Sequence, residues 1–139
     1  ILLLIMKKAH SNLKKLKNNK EDFWEQRAKL LRVIAHPVRL MILESLCEKS
    51  KCVKVLNALV PIPQPNLSQH IAALRKVNLI SSYSSGALRC YYLVRPTLVK
   101  KLIKLLKQEH PVIIRDKKTV LREVNRGIDK EKNVKVLQE

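Results

Sequence analysis

Glycine is nearly absent, with only Gly86 and Gly127 in 139 residues. So few flexible points predict a mainly helical chain, and no glycine-rich loop is available to cradle a nucleotide phosphate. Aromatic residues are scarce at 4%, which argues against the ring platforms that hold single-stranded nucleic acid. Long apolar runs are missing too. Ile1–Met6 is a run of six, far short of the ~20 residues of a membrane span and of the ~7–15 of a secretion signal. A membrane partner is not expected, and Met6 is read as the natural start, with Ile1–Ile5 outside the fold. Paired carboxylates and a Ser/His/Asp arrangement are lacking, and the four histidines are scattered, so an enzyme is not expected. The three cysteines, Cys47, Cys52 and Cys90, are an odd number. They read as free thiols in a reducing, cytoplasmic setting.

Acids are the other shortage, 11 against 29 Lys plus Arg, for a formal charge of +18. Residues 1–20 hold six lysines and no acid, residues 21–110 fifteen basic and six acidic residues, and residues 111–139 eight and five. Much of the excess therefore lies on the part that looks folded, which implies a polyanionic partner; with few rings, double-stranded DNA fits best. This divides the chain into a flexible basic arm (1–20), one domain (21–110), and an extension that is a short helix or disordered (111–139).

Within the domain, Phe23, Trp24, Leu30, Leu31 and Ile34 recur at helical spacing, and His36-Pro37 ends that helix. Pro37 opens a second helix running to about Cys47, followed by a short polar stretch, Ser50–Val53, and an apolar one from Val55 to Val60. The segment Pro61–Pro65 turns into a helix over about Gln64–Val77 with Leu67, Ile71 and Leu74 on one face. Two strand-like runs, Leu79–Ser84 and Ala87–Val94, flank a tight turn at Ser85-Gly86. A helix from Pro96 carries Leu98, Leu102, Leu105 and Leu106 as a stripe, and beyond Pro111 a helix over Thr119–Arg126 precedes a frayed last dozen residues. The expected fold is mainly α with a small β-hairpin: a winged helix-turn-helix. Its first and last core helices carry more apolar surface than one small domain covers, so they are expected to pair across a two-fold axis as a homodimer.

Ala35-His36-Pro37-Val38-Arg39-Leu40-Met41-Ile42-Leu43, then Leu67-Ser68-Gln69-His70-Ile71-Ala72-Ala73-Leu74-Arg75, Asn78-Leu79-Ile80 and Gly86 through Tyr92 resemble the ArsR/SmtB family of winged-helix repressors. The resemblance covers about residues 28–106. It implies a homodimer that binds an operator and lets go when a metal, metalloid or thiol-reactive species fills a sensor site. The family's arsenic-type Cys-Val-Cys reads Cys52-Val53-Lys54 here, and its zinc-type acid and histidine ligands shrink to Glu109 and His110. Neither sensor transfers intact.

Gln64, Asn66, Ser68, Gln69, His70 and Arg75 are the candidates for reading bases and phosphates from the second helix of the motif, since Gln and Asn match adenine edges. The competing reading is a solvated face with His70 turned inward. Ser85 and Arg89 are the wing candidates for backbone contact, Arg89 serving equally well as an edge-strand charge that deters aggregation. If Ser50–Val53 pairs with Arg89–Val94, Cys52 meets Cys90 across the strands. The pair then suits a disulfide, a persulfide bridge or a shared thiophilic metal or metalloid, with Cys47 as a third thiolate. The plain alternative buries Cys90, Tyr92 and Val94 together, the cysteine acting as a small hydrophobe. Two other functions stay open: a winged-helix module that binds an acidic protein, and a repressor without effector.

Overall fold

The computed structural model describes residues 1–136, with side chains through Ile128. Six helices and three strands follow in the order α1 (Leu2–Ile34), α2 (Pro37–Glu48), β1 (Lys51–Cys52), α3 (Val53–Leu59), α4 (Gln64–Lys76), β2 (Ile80–Ser85), β3 (Leu88–Leu93), α5 (Pro96–Lys107) and α6 (Lys117–Val136). The strands form one antiparallel sheet in the order β1-β3-β2. Two units separate by their internal packing, one ending at Lys107 and one beginning at Gln108.

The core of the first unit collects one apolar face from each element. Ile42, Leu43 and Leu46 of α2, Leu56 of α3, Leu67, Ile71 and Leu74 of α4, and Val99 and Ile103 of α5 meet Leu79, Ile80 and Tyr91 of the sheet. On α4 the i, i+4, i+7 period is the buried line that the sequence predicts. On α5 it is not: Val99 and Ile103 are buried, whereas Leu98, Leu105 and Leu106 remain exposed. The apolar residues of that helix form one broad arc opposite Lys100, Lys101, Lys104 and Lys107, and period alone does not choose which edge of the arc faces in.

Pro37 sits in the first turn of α2, and the His36 side chain caps it by accepting from the Val38 N–H at 3.1 Å. The end of α4 is closed by Asn78 in the left-handed region, φ 55°. Its N–H donates to the Arg75 carbonyl at 3.0 Å and the Leu79 N–H to the Leu74 carbonyl at 3.1 Å, the paired bonds of a Schellman end. The hairpin turn is one residue later than expected. Ser85 faces Leu88, so Gly86-Ala87 are the two central residues, and Gly86 takes φ 57°. A glycine with positive φ in the first central position matches the twist of a type II′ hairpin.

Residues 2–20, expected as a flexible arm, are instead the first turns of a continuous 33-residue helix, about 50 Å long at 1.5 Å per residue. No glycine or proline occurs before Pro37, and Leu, Lys and Ala are good helix formers. Extending a helix nucleated against the core therefore costs little. Only Ile34 of α1 is buried; Leu13, Leu16, Phe23 and Trp24 stay exposed.

In the second unit, α6 is longer than the Thr119–Arg126 helix expected from sequence. Asp116 caps it, accepting from the Thr119 N–H at 2.9 Å and hydroxyl at 2.7 Å, and Arg115 pairs with Glu123. The Thr119 bonds hold the Asp116 carboxyl below its ordinary value. Fraying was expected over the last dozen residues, of which 137–139 lie outside the described residues. Among the described residues, no helix is long and apolar enough to cross a membrane.

Candidate nucleic-acid interface and thiol pair

Helices α3 and α4, joined by the proline-rich turn 60–63, make the helix-turn-helix, and the β2–β3 hairpin is the wing. With Leu67, Ile71 and Leu74 facing the core, the opposite face of α4 is Pro65, Gln69 and Ala72, flanked by Asn66, Ser68 and Arg75; all are exposed, as is Gln64 in the first turn. Gln69 stands at the centre of that face. Ala72, one turn on, was not singled out from sequence, although its spacing from Gln69 was the available signal. Its methyl suits contact with a thymine methyl. On the wing, Ser85 and Arg89 are exposed, Arg89 opposite Ser84 across the strands.

His70 departs from the rest. It is half-buried, its ring centroid 4.5 Å from that of His36, and its Nδ1 accepts from Arg39 Nε at 3.4 Å. Arg39 also donates to the Val33 carbonyl at 2.8 Å. One guanidinium thus ties the last turn of α1 to the recognition helix. Nothing in the sequence marked Arg39 for this role, because both partners are distant in the chain or in the backbone.

Burial first, then the neighbouring His36 and Arg39, push the His70 pKa below its ordinary value. The unfolded chain takes up this proton near pH 6.5 and the folded one resists it, so below that pH the unfolded state binds more protons. Stability contributed at His70 is therefore complete above about pH 6.5 and declines as pH falls toward the lowered folded value. Urea midpoints at pH 7.5, 6.5 and 5.5 should fall less steeply with acid in His70→Gln than in the wild type. Equal slopes would mean that His70 is not the group responsible.

The strands bring the cysteines together. Cys52 lies directly opposite Cys90 in the β1–β3 register, their Cα atoms 3.8 Å apart, and the two form a disulfide. The expectation of three free thiols is thus corrected; only Cys47 is free. The alternative burial of Cys90, Tyr92 and Val94 is also corrected. Tyr91 takes the buried face of β3, while Tyr92 and Val94 are exposed, because β3 alternates with the opposite phase.

Cys47 sits on α2, half-buried, where burial raises its pKa and Lys100 opposes the shift. A three-thiolate metal or metalloid site does not fit this arrangement. Two of its sulfurs are bonded to each other, and no group of three His, Cys, Asp or Glu among the described residues is placed to hold a metal. Lys51, next to Cys52, is turned to the buried side and reaches Glu48 at 3.4 Å. Lys54 remains exposed beside the pair.

The electrostatic character of the whole motif is set by an absence. From Lys49 to Gln108 the sequence contains no Asp or Glu, and it carries eleven Lys and Arg. The helix-turn-helix, the wing and α5 are therefore built without a carboxylate, so no part of them repels a phosphate.

A model of the arsR family of bacterial regulatory proteins matches residues 36–82. An uncharacterized HTH-type transcriptional regulator of Methanocaldococcus jannaschii is 36% identical over 85 residues, 60% of this chain and 93% of that relative. The crystal structure of the transcriptional repressor BigR from Xylella fastidiosa superposes with a TM-score of 0.59 at 27% identity, covering 68% of this chain and 99% of that one. A Mycobacterium bovis domain described as a homodimeric winged helix-turn-helix shares the fold, with a TM-score of 0.56 at 22% identity over 63% of this chain and 81% of that one.

Proposed function

The chain belongs to the arsR family of bacterial regulatory proteins, and from that premise we propose that it is a cytoplasmic repressor that binds a duplex operator as a homodimer. The observation that carries this reading is the carboxylate-free span 49–108, which contains both the recognition helix and the wing. In this reading Gln69, Asn66 and Ser68 read base edges, Ala72 touches a thymine methyl, and Gln64, Ser85 and Arg89 hold phosphates, while Arg75, in the last turn of α4, lies beyond the contact. His70 serves by positioning α4 through Arg39 and not by touching DNA. The exposed leucines of α5 and the apolar line of α1 supply the surface on which two copies pair, which spaces two recognition helices one DNA turn apart. The protein acts as a regulator and not as an enzyme.

The inducer in this reading is a thiol oxidant. The dithiol form holds the operator. A peroxide then accepts two electrons and two protons from Cys52 and Cys90, giving the disulfide and, from the peroxide, water. The bridge ties the start of α3 to the inner wing strand and so changes how wing and recognition helix meet the duplex together.

The reading is tested by titrating reduced protein with operator duplex at several salt concentrations. Log affinity should fall steeply and linearly with log salt, since each neutralised phosphate releases counterions. Gln69→Ala should weaken specific binding by about 1–3 kcal/mol, the scale of one base contact, with an unchanged circular dichroism spectrum. A flat salt response would favour an acidic protein as the partner, and unaltered operator affinity in Gln69→Ala would remove α4 from the interface.

A further inference from the structure

A second concentration of positive charge lies away from the DNA-reading ends, where α1, the end of α4 and the start of α5 meet. A cleft of about 510 Å³ is lined there by Arg27 and Lys29 of α1, Lys76 and Asn78 at the end of α4, and Arg95 just before α5, with Gln26 beside them. Four cations from three segments thus converge, and the lining includes no carboxylate. Of the three acids of α1, Glu21, Asp22 and Glu25, none lines the cleft; Asp22 accepts from the lining residue Gln26 at 3.0 Å, and Glu25 pairs with Arg32 at 2.8 Å. Arg27 is held over the Phe23 ring, 3.7 Å from its centroid, which fixes the guanidinium plane while leaving its N–H edge to donate. The helix end contributes no neutralising carbonyl from Leu74 or Arg75, since both accept backbone N–H groups of the Schellman turn. Gathering like charges without an internal counterion is unfavourable, and a ligand with several negative charges reverses the sign of that energy.

We propose that this cleft binds a small molecule carrying two or more phosphate groups, separately from the duplex. The separation follows from the elements themselves and rests on the reading that the first turns of α4 and the wing tip meet DNA. From the junction at Asn78, α4 leads back about 18 Å to Gln64 at 1.5 Å per residue. The wing strands lead out about 17 Å to their tip at 3.4 Å per residue. The cleft is at the common root of both, so a duplex held at their far ends does not reach into it. Arginine forks from α1 and from the segment before α5 suit two phosphates of one molecule, each accepting paired N–H donors. Occupancy would join α1 to the root of the wing and the end of the recognition helix.

The test is calorimetric titration of the full chain, without DNA, with inorganic pyrophosphate at fixed ionic strength. One saturable site per chain is expected. Arg27→Gln/Arg95→Gln should weaken it at least tenfold, whereas Lys7→Gln/Lys8→Gln, the same charge loss on α1 outside the cleft, should stay within twofold. Equal losses in both variants, or no saturable site, overturn the proposal. If the cleft double variant does not fold, Lys76→Gln alone is expected to weaken binding at least threefold, and an unchanged affinity would overturn the proposal. The two sources of phosphate are then separated. Protein saturated with duplex should still take up pyrophosphate, and Arg27→Gln/Arg95→Gln should bind duplex within threefold of wild type. Exclusion of pyrophosphate by the duplex, or a parallel loss of duplex affinity, would assign the cleft to DNA and overturn the proposal. A wild type that binds pyrophosphate but no duplex would defeat the operator reading while leaving the anion site standing.

Discussion

Replacing Leu74 by alanine is expected to cost about 2–5 kcal/mol of folding stability, the range for a buried leucine whose cavity cannot fully collapse. Leu74 is fully buried and belongs to the last turn of α4, where its own carbonyl accepts the Leu79 N–H. The loss falls where the recognition helix, the Schellman turn and the first wing strand are joined. Small domains hold about 5–15 kcal/mol in total, so the loss is a substantial fraction of the whole and the variant should show a lower urea midpoint. Leu74→Met, which nearly conserves volume, should cost less than about 1.5 kcal/mol. An alanine variant within 0.5 kcal/mol of wild type, the range of exposed positions, would contradict the burial of this face.

Reducing the disulfide is the second large effect. Cys52 and Cys90 are 38 residues apart in sequence, and the loop they close contains α3, the recognition helix and the first wing strand. Opening a loop of that size returns entropy to the unfolded chain and should lower stability by about 2–4 kcal/mol. Cys52→Ser and Cys90→Ser should reproduce the reduced protein's urea midpoint and no longer respond to dithiothreitol. On operator DNA the wild type should bind more tightly reduced than oxidised, and each serine variant should bind alike with and without peroxide. Variants that remain inducible would leave the bridge a structural staple and defeat the thiol-switch reading.

The recognition helix and wing were legible in the sequence because their signals are local. Leu67, Ile71 and Leu74 keep one helical phase, Gly86 marks the hairpin, and the proline-rich turn separates α3 from α4. The Cys52–Cys90 contact was legible as a consequence of topology, since the third strand of a winged helix returns beside the segment that precedes α3. What failed depended on partners remote in the chain. His70, three residues after Leu67 and four before Leu74, borders the buried line of α4, and the positions of Arg39 and His36 decide that it turns inward. The apolar residues of α5 form an arc wider than the core covers, so which edge of it is buried is decided by α2 and not by period. The lysine-rich start of α1 resembles a flexible arm in charge, and its helicity comes from the absence of breakers. The basic cleft joins residues about 70 apart and left no local trace.

The carboxylate-free span has a consequence for how an operator is found. A surface on which every charge attracts phosphate offers no preferred register along a duplex, because shifting by one base pair exchanges one favourable contact for another like it. Such a surface slides easily, and its hold on random DNA is strong. The brake must come from side chains that gain nothing from charge: the amides of Gln69 and Asn66 and the hydroxyl of Ser68. A lysine placed at Gln69 would therefore lengthen each excursion along random sequence while erasing the difference between passing the operator and stopping on it.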